Sequence, residues 1–154
     1  MLIHLALAFV LIGVSVFIHG FGTLEVLVRL ANTLQRRQGR RGRIPSGMLT
    51  IRVVISLLLL HLLEASSWAA LFWLAKALPD AETAIYFSLT SYTTVGYGDV
   101  VLPPDWRLLG PIEAATGILM FGWSTGVMVS AITRIYGEQF RGLADPRELD
   151  KVVD

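Results

Sequence analysis

Three long stretches of this chain carry almost no charge, and each is long enough to cross a bilayer. They cover residues 2–30, 48–78 and 108–136. A spanning helix needs about 20 mostly apolar residues. The first stretch has an uncharged core from Leu5 to Ile18, and the second contains the apolar run from Val53 to Leu60. In the third, no charge falls in the 20 residues between Glu113 and Arg134. The whole chain is only 16% charged, against about 25% in ordinary globular proteins. It is too apolar for a disordered protein. Its 13 basic and 12 acidic groups leave a net charge of +1, which is not the footprint of a nucleic-acid binder. Without cysteine, disulfide frameworks, thiolate metal sites and thiol nucleophiles are excluded.

A fourth apolar segment, residues 83–93, has only 11 residues. As a helix it reaches roughly 16 Å, about half the hydrocarbon thickness. It therefore reads as a re-entrant helix. The first stretch lacks the charged flank and the small-x-small cleavage site of a signal peptide, so it reads as a retained helix. Between the first two spans lie Arg36, Arg37, Arg40, Arg41 and Arg43, flanked by Arg29 and Arg52, with no acid from Val26 through Leu63. Short basic loops stay cytoplasmic. The same arginines could also hold anionic lipid head groups. The amino terminus then faces outward and the carboxyl terminus inward. The outer segment, residues 79–105, holds Asp80, Glu82, Asp99 and Asp105 and no base, which would concentrate cations at an outer mouth.

Straight after the short segment comes Thr93-Thr94-Val95-Gly96-Tyr97-Gly98-Asp99. Non-helical backbone inside a bilayer is tolerated only where it is buried in protein or lines water. Glycines at alternate positions can take backbone angles closed to other residues. Successive carbonyls of Thr94, Val95, Gly96 and Tyr97 can then turn to one side, while the Val95 and Tyr97 side chains pack on the other. Rings of such carbonyls from several copies replace the water shell of a potassium ion.

In this run the chain resembles the tetrameric potassium channels, whose filter signature TVGYG matches Thr94 to Gly98 in full. The resemblance covers roughly residues 48–136. It implies an all-α membrane protein with three transmembrane helices plus a re-entrant pore helix and selectivity filter, assembled as a homotetramer. The implied division is an extra amino-terminal helix over 1–31, a basic cytoplasmic loop over 32–47 and a pore domain over 48–136. Within the pore domain fall an outer helix (48–78), pore helix (83–93), filter (94–99) and inner helix (108–136). A short cytoplasmic tail, 137–154, follows. The implied ion sites are the carbonyls of Thr94, Val95, Gly96 and Tyr97 with the Thr94 hydroxyl; Gly98 completes the filter, and Thr93 and Asp99 flank it. Relatives often carry tryptophans on the pore helix that donate to the filter aspartate. The matching positions here are Tyr86 and Phe87, and phenylalanine cannot donate. The filter tyrosine implies selectivity for potassium over sodium.

The resemblance also puts an inner-helix hinge at Gly117, though this glycine could equally serve close packing; for Gly122 and Gly126 packing is the expectation. Ile118, Phe121, Thr125 and Val129 would face a central cavity, and their spacing keeps them on one stripe. Ile132 would narrow its inner end. Of the extra helix, Gly13, Gly20 and Gly22 could allow close contact.

Three ionisable groups sit deep in the spans. His19, His61 and Glu64 lie roughly 16–21 Å from the inner ends of their helices. His61 and Glu64 are three apart and share a helix face. The expectation is that His19 meets one of them and ties the first helix to the pore, as a static hydrogen bond or as a pH-sensitive element. No phosphate loop, dinucleotide fingerprint or paired Cys/His metal spacing occurs. The reading is thus a potassium-selective channel subunit of a prokaryotic plasma membrane. Potassium is its transported ion, and its partners are the bilayer and identical subunits, with no nucleic acid. Its rival is a non-conducting channel-like protein that senses ions or assembles with a partner. A membrane hydrolase would have only Glu64 and the histidines to work with and leaves the TVGYG run unexplained, so no enzyme is expected.

Overall fold

The computed structural model describes residues 2–37 and 45–143, with backbone alone for 37 and 138–143. Among them there are four helices and no strand: α1 (Leu2–Arg37), α2 (Ser46–Leu74), α3 (Ala81–Tyr92) and α4 (Leu109–Leu143). α1, α2 and α4 are each long and apolar enough to cross a membrane. α3, with 12 residues, is not. Arg40, Arg41, Arg43 and the expected helix start at Asp145 lie outside the described residues.

The helix limits differ from the expected ones for local reasons. α1 runs on through residues 32–37, expected as loop, because nothing between Ala31 and Arg37 breaks a helix. α4 likewise continues past residue 136. Loss of apolarity marks where a bilayer ends, not where a helix must. α2 stops at Leu74 rather than residue 78 because Lys76 turns to φ 55°. Ala77 N–H then bonds the Phe72 carbonyl (2.8 Å) and Lys76 N–H the Trp73 carbonyl (3.0 Å). This pair of bonds is the Schellman ending, here with lysine where glycine is usual. α3 starts two residues early. Asp80 caps it, accepting from the Thr83 amide at 2.8 Å and the Thr83 hydroxyl at 2.9 Å. That bond and the hydroxyl hold the Asp80 carboxyl below its ordinary range.

α1 packs on α2 and α4, and α3 is held between α2 and α4. Two apolar clusters form the core. The one nearer α3 centres on Trp68, Phe72, Phe87, Tyr92 and Leu109. The other joins Leu30, Leu49, Val53, Leu57, Val127, Ala131 and Ile135. A polar layer of His19, Thr23, His61, Glu64 and Ser124, all buried, lies between them along the helices. His4 packs against Trp106, tilted by 54° with ring centroids 4.3 Å apart, so α1 begins at the same end as α3. At the opposite end Thr50 donates to the Tyr136 hydroxyl at 3.3 Å. Glu25 and Arg29 pair across one turn at 2.6 Å.

The glycines divide. A Cβ at Gly22 would run into the Leu60 side chain, and one at Gly20 would touch Trp123 at 3.5 Å. Gly13 faces open space, as do Gly122 and Gly126, so the packing expected of these three does not occur within the chain. Gly117 is a packing glycine: a Cβ there would collide with the Tyr92 carbonyl oxygen. Gly117→Ala is therefore expected to destabilise the purified protein by about 1–3 kcal/mol, the usual cost of overpacking. Gly13→Ala is expected to raise the thermal midpoint through helix propensity, worth about 1 kcal/mol. A midpoint that Gly117→Ala leaves unchanged would contradict the close approach.

Candidate functional site

The TVGYG segment is built from the end of α3. Tyr92 is 1% exposed, and its carbonyl lies against Gly117 of α4. Beyond it the chain doubles back: Thr94 N–H bonds the Ser91 carbonyl at 2.9 Å, and Gly96 N–H bonds the Thr90 carbonyl at 3.0 Å. Thr93 caps the helix, and its hydroxyl donates to the Leu89 carbonyl at 2.6 Å. Positive φ then recurs at alternate residues: 65° at Thr94, 53° at Gly96 and 78° at Gly98. Glycine adopts such angles freely. A β-branched residue does not, and strain of this kind clusters at functional sites. Alternating hands of twist counteract the alternation of carbonyls in an ordinary strand, so they can face one way.

Residues 93–99 are all exposed in the single chain. The expected packing of Val95 and Tyr97 is not made within it, for they are 52% and 72% exposed. Asp99 is held at both oxygens. It accepts from the Tyr86 hydroxyl at 2.6 Å and from the Val100 amide at 3.0 Å. Tyr86 thus supplies the donor that Phe87 lacks. Phe87 turns inward, edge-on to Phe72 with centroids 5.4 Å apart, and its ring end lies 3.3 Å from where a Cβ on Gly110 would be. Of the two α3 positions only Tyr86 makes the bond, because a phenol reaches as far as the aspartate from this helix face.

On α4, Ile118, Phe121, Thr125, Val129 and Ile132 are all exposed. They share a stripe opposite the buried face of Met120, Ser124, Val127 and Ala131.

The deep polar groups do meet, and they recruit two residues that the sequence did not single out. His19 Nδ1 lies 2.8 Å from Glu64 Oε1, and His61 Nδ1 lies 3.7 Å from Glu64 Oε2. Tyr92 donates its hydroxyl to Glu64 Oε2 and lies 3.3 Å from His61 Nδ1. Ser124 Oγ bridges the far nitrogens, 3.2 Å from His19 Nε2 and 3.0 Å from His61 Nε2. The result is a closed ring of five side chains, with a member on each helix. Glu113, near the start of α4, is fully buried, as is Ser88 on α3.

The Tyr86 hydroxyl holds the Asp99 carboxyl below its ordinary range. A depressed carboxyl contributes stability above its unfolded-state value and loses it as pH falls through the lowered folded value. Tyr86→Phe is therefore expected to raise the Asp99 titration midpoint, read from the carboxyl carbon shift by NMR. The variant's 94–99 turn should also loosen at higher pH than the wild type's. An unmoved midpoint would show the bond to be unimportant.

No curated protein and no solved structure gives a significant match to this chain. Residues 48–134, more than half of it, match the family described as ion channel. That segment runs from the start of α2 through α3 and the 94–99 turn into α4. With three membrane-length helices, the chain is a multi-pass membrane protein that belongs to the ion channel family.

Proposed function

We propose that this chain is one subunit of a homotetrameric, potassium-selective channel that conducts passively in a prokaryotic plasma membrane. The observation that carries the reading is the alternate positive φ at Thr94, Gly96 and Gly98 within a complete TVGYG sequence. Four such segments around an axis make successive cages from the carbonyls of Thr94, Val95, Gly96 and Tyr97 and the Thr94 hydroxyl. A potassium ion exchanges its water shell for these oxygens, binds weakly at each level and moves by repulsion from the next ion. No bond is made or broken, so no catalytic group is required.

The exposed Val95 and Tyr97 side chains are covered by neighbouring subunits in this arrangement, which keeps the segment from collapsing. The stripe from Ile118 to Val129 lines a wet cavity, with Ile132 at its inner narrowing and the Thr125 hydroxyl toward water. α3 points its carboxyl end, the negative end of its dipole, toward that cavity and helps hold a cation there. Arg29, Arg36 and Arg52 lie at the end opposite the TVGYG segment. By the positive-inside rule that end is cytoplasmic, which leaves the amino terminus and the acidic mouth outside.

Reconstitution into liposomes with a potassium gradient tests the proposal. Purified protein is expected to pass potassium and exclude sodium. Gly96→Ala, at φ 53°, is expected to insert normally and abolish flux. Equal sodium and potassium flux would overturn selectivity. Folded tetramers with no flux at any pH or voltage would favour a non-conducting ion sensor.

A further inference from the structure

With neutral imidazoles and an ionised Glu64, the ring of five side chains is one hydrogen short. Five hydrogen bonds close it, and each needs one hydrogen. Tyr92, Ser124 and two neutral imidazoles supply four, while ionised Glu64 supplies none. One added proton or a cation would complete it, at a depth where an unpaired carboxylate is expensive.

We propose that His19, His61 and Glu64 bind a divalent transition metal of the zinc class. Both imidazoles turn Nδ1 toward the same carboxylate, and candidate ligand atoms of all three residues lie within 4.8 Å of one another. Ligands of tetrahedral zinc stand about 3.3 Å apart, as bond lengths of about 2.0–2.1 Å require. His19 Nδ1 stands 2.8 Å from Glu64 Oε1 and His61 Nδ1 3.7 Å from the other oxygen, Oε2, so both imidazoles are within a small shift of that spacing from the carboxylate. The surrounding groups suit a metal site as well. A ligating imidazole needs an acceptor for its other N–H. Here both Nε2 atoms reach Ser124 Oγ, whose two lone pairs can accept one hydrogen from each. Tyr92 donates to Glu64, the support a ligating carboxylate needs. Nitrogen and carboxylate donors favour zinc, cobalt, nickel or copper over magnesium or calcium. There is also a way in: His61 is 7% exposed beside Phe121, with ring centroids 4.2 Å apart, on the open stripe of α4.

Such an ion would fasten α1 and α2 to Tyr92, two residues before Thr94, and so hold the base of the filter. This consequence rests on the channel reading, whereas the binding does not. The test therefore uses purified protein, with its affinity tag removed and in detergent, and measures no flux. Zinc is expected to bind at one ion per chain, and cobalt to give the intense visible bands of a four-coordinate site, with water as the fourth ligand beside the three side chains. Ser124→Ala is expected to keep the site and weaken it about 10–100-fold, the usual effect of losing an outer partner. Glu64→Gln is expected to lose both the stoichiometry and the bands. Wild-type protein that binds less than one ion per chain would overturn the proposal and leave the ring completed by a proton. Unchanged binding in a folded Glu64→Gln protein would also overturn it.

Discussion

A carboxylate in the middle of an apolar helix bundle cannot be left alone. Glu64 is fully buried, and an ionisable group at that depth costs several kcal/mol unless it is partnered. Its partners are His19 from α1, Tyr92 from α3 and His61 one turn back on α2. Single interhelical hydrogen bonds in membranes are weak, averaging about 0.6 kcal/mol. Removing one side of a buried charged pair costs more, about 3–5 kcal/mol. The ring therefore acts less by the sum of its bonds than by what it forbids. A helix that rotated or slid would strand the carboxylate, so one arrangement of four helices is selected.

That selection reaches the TVGYG segment through Tyr92. Its side chain belongs to the ring, its carbonyl lies against Gly117, and its backbone leads within two residues to the strained Thr94. Strain of this kind persists only where the surroundings over-determine it. Here the lower end is fixed by the ring and the Gly117 contact, and the upper end by Tyr86 on Asp99. Between them the Val95 and Tyr97 side chains have no cover from their own chain. In the proposed tetramer other copies cover these flanks.

Much of this was legible in the sequence. The spans, the short fourth helix and the TVGYG run follow from residues that need no distant partner to be understood. His19, His61 and Glu64 were also recognisable, because ionisable groups are rare in such stretches and their depth can be counted. Helix limits were less legible. Lys76 ends α2 by a left-handed turn that lysine does not advertise, and α1 and α4 outrun their apolar parts. For Gly117 the sequence allows hinge or packing, and only the Tyr92 carbonyl against it shows the packing. No metal spacing stood out along the chain, since the three candidate ligands come from two helices.

By itself the sequence determined that this chain lives in a membrane, which of its segments cross, and where a non-helical strand of carbonyls must sit. Those properties add up residue by residue along the chain. The tertiary structure alone decided who meets whom: Ser124 and Tyr92 in the ring, Tyr86 rather than Phe87 on Asp99, Gly117 under Tyr92. Each residue turns a helix by about 100°, since 3.6 residues complete a turn. A contact between helices therefore depends on relative rotation and height that no local pattern encodes. Only the packing of all four helices together sets them.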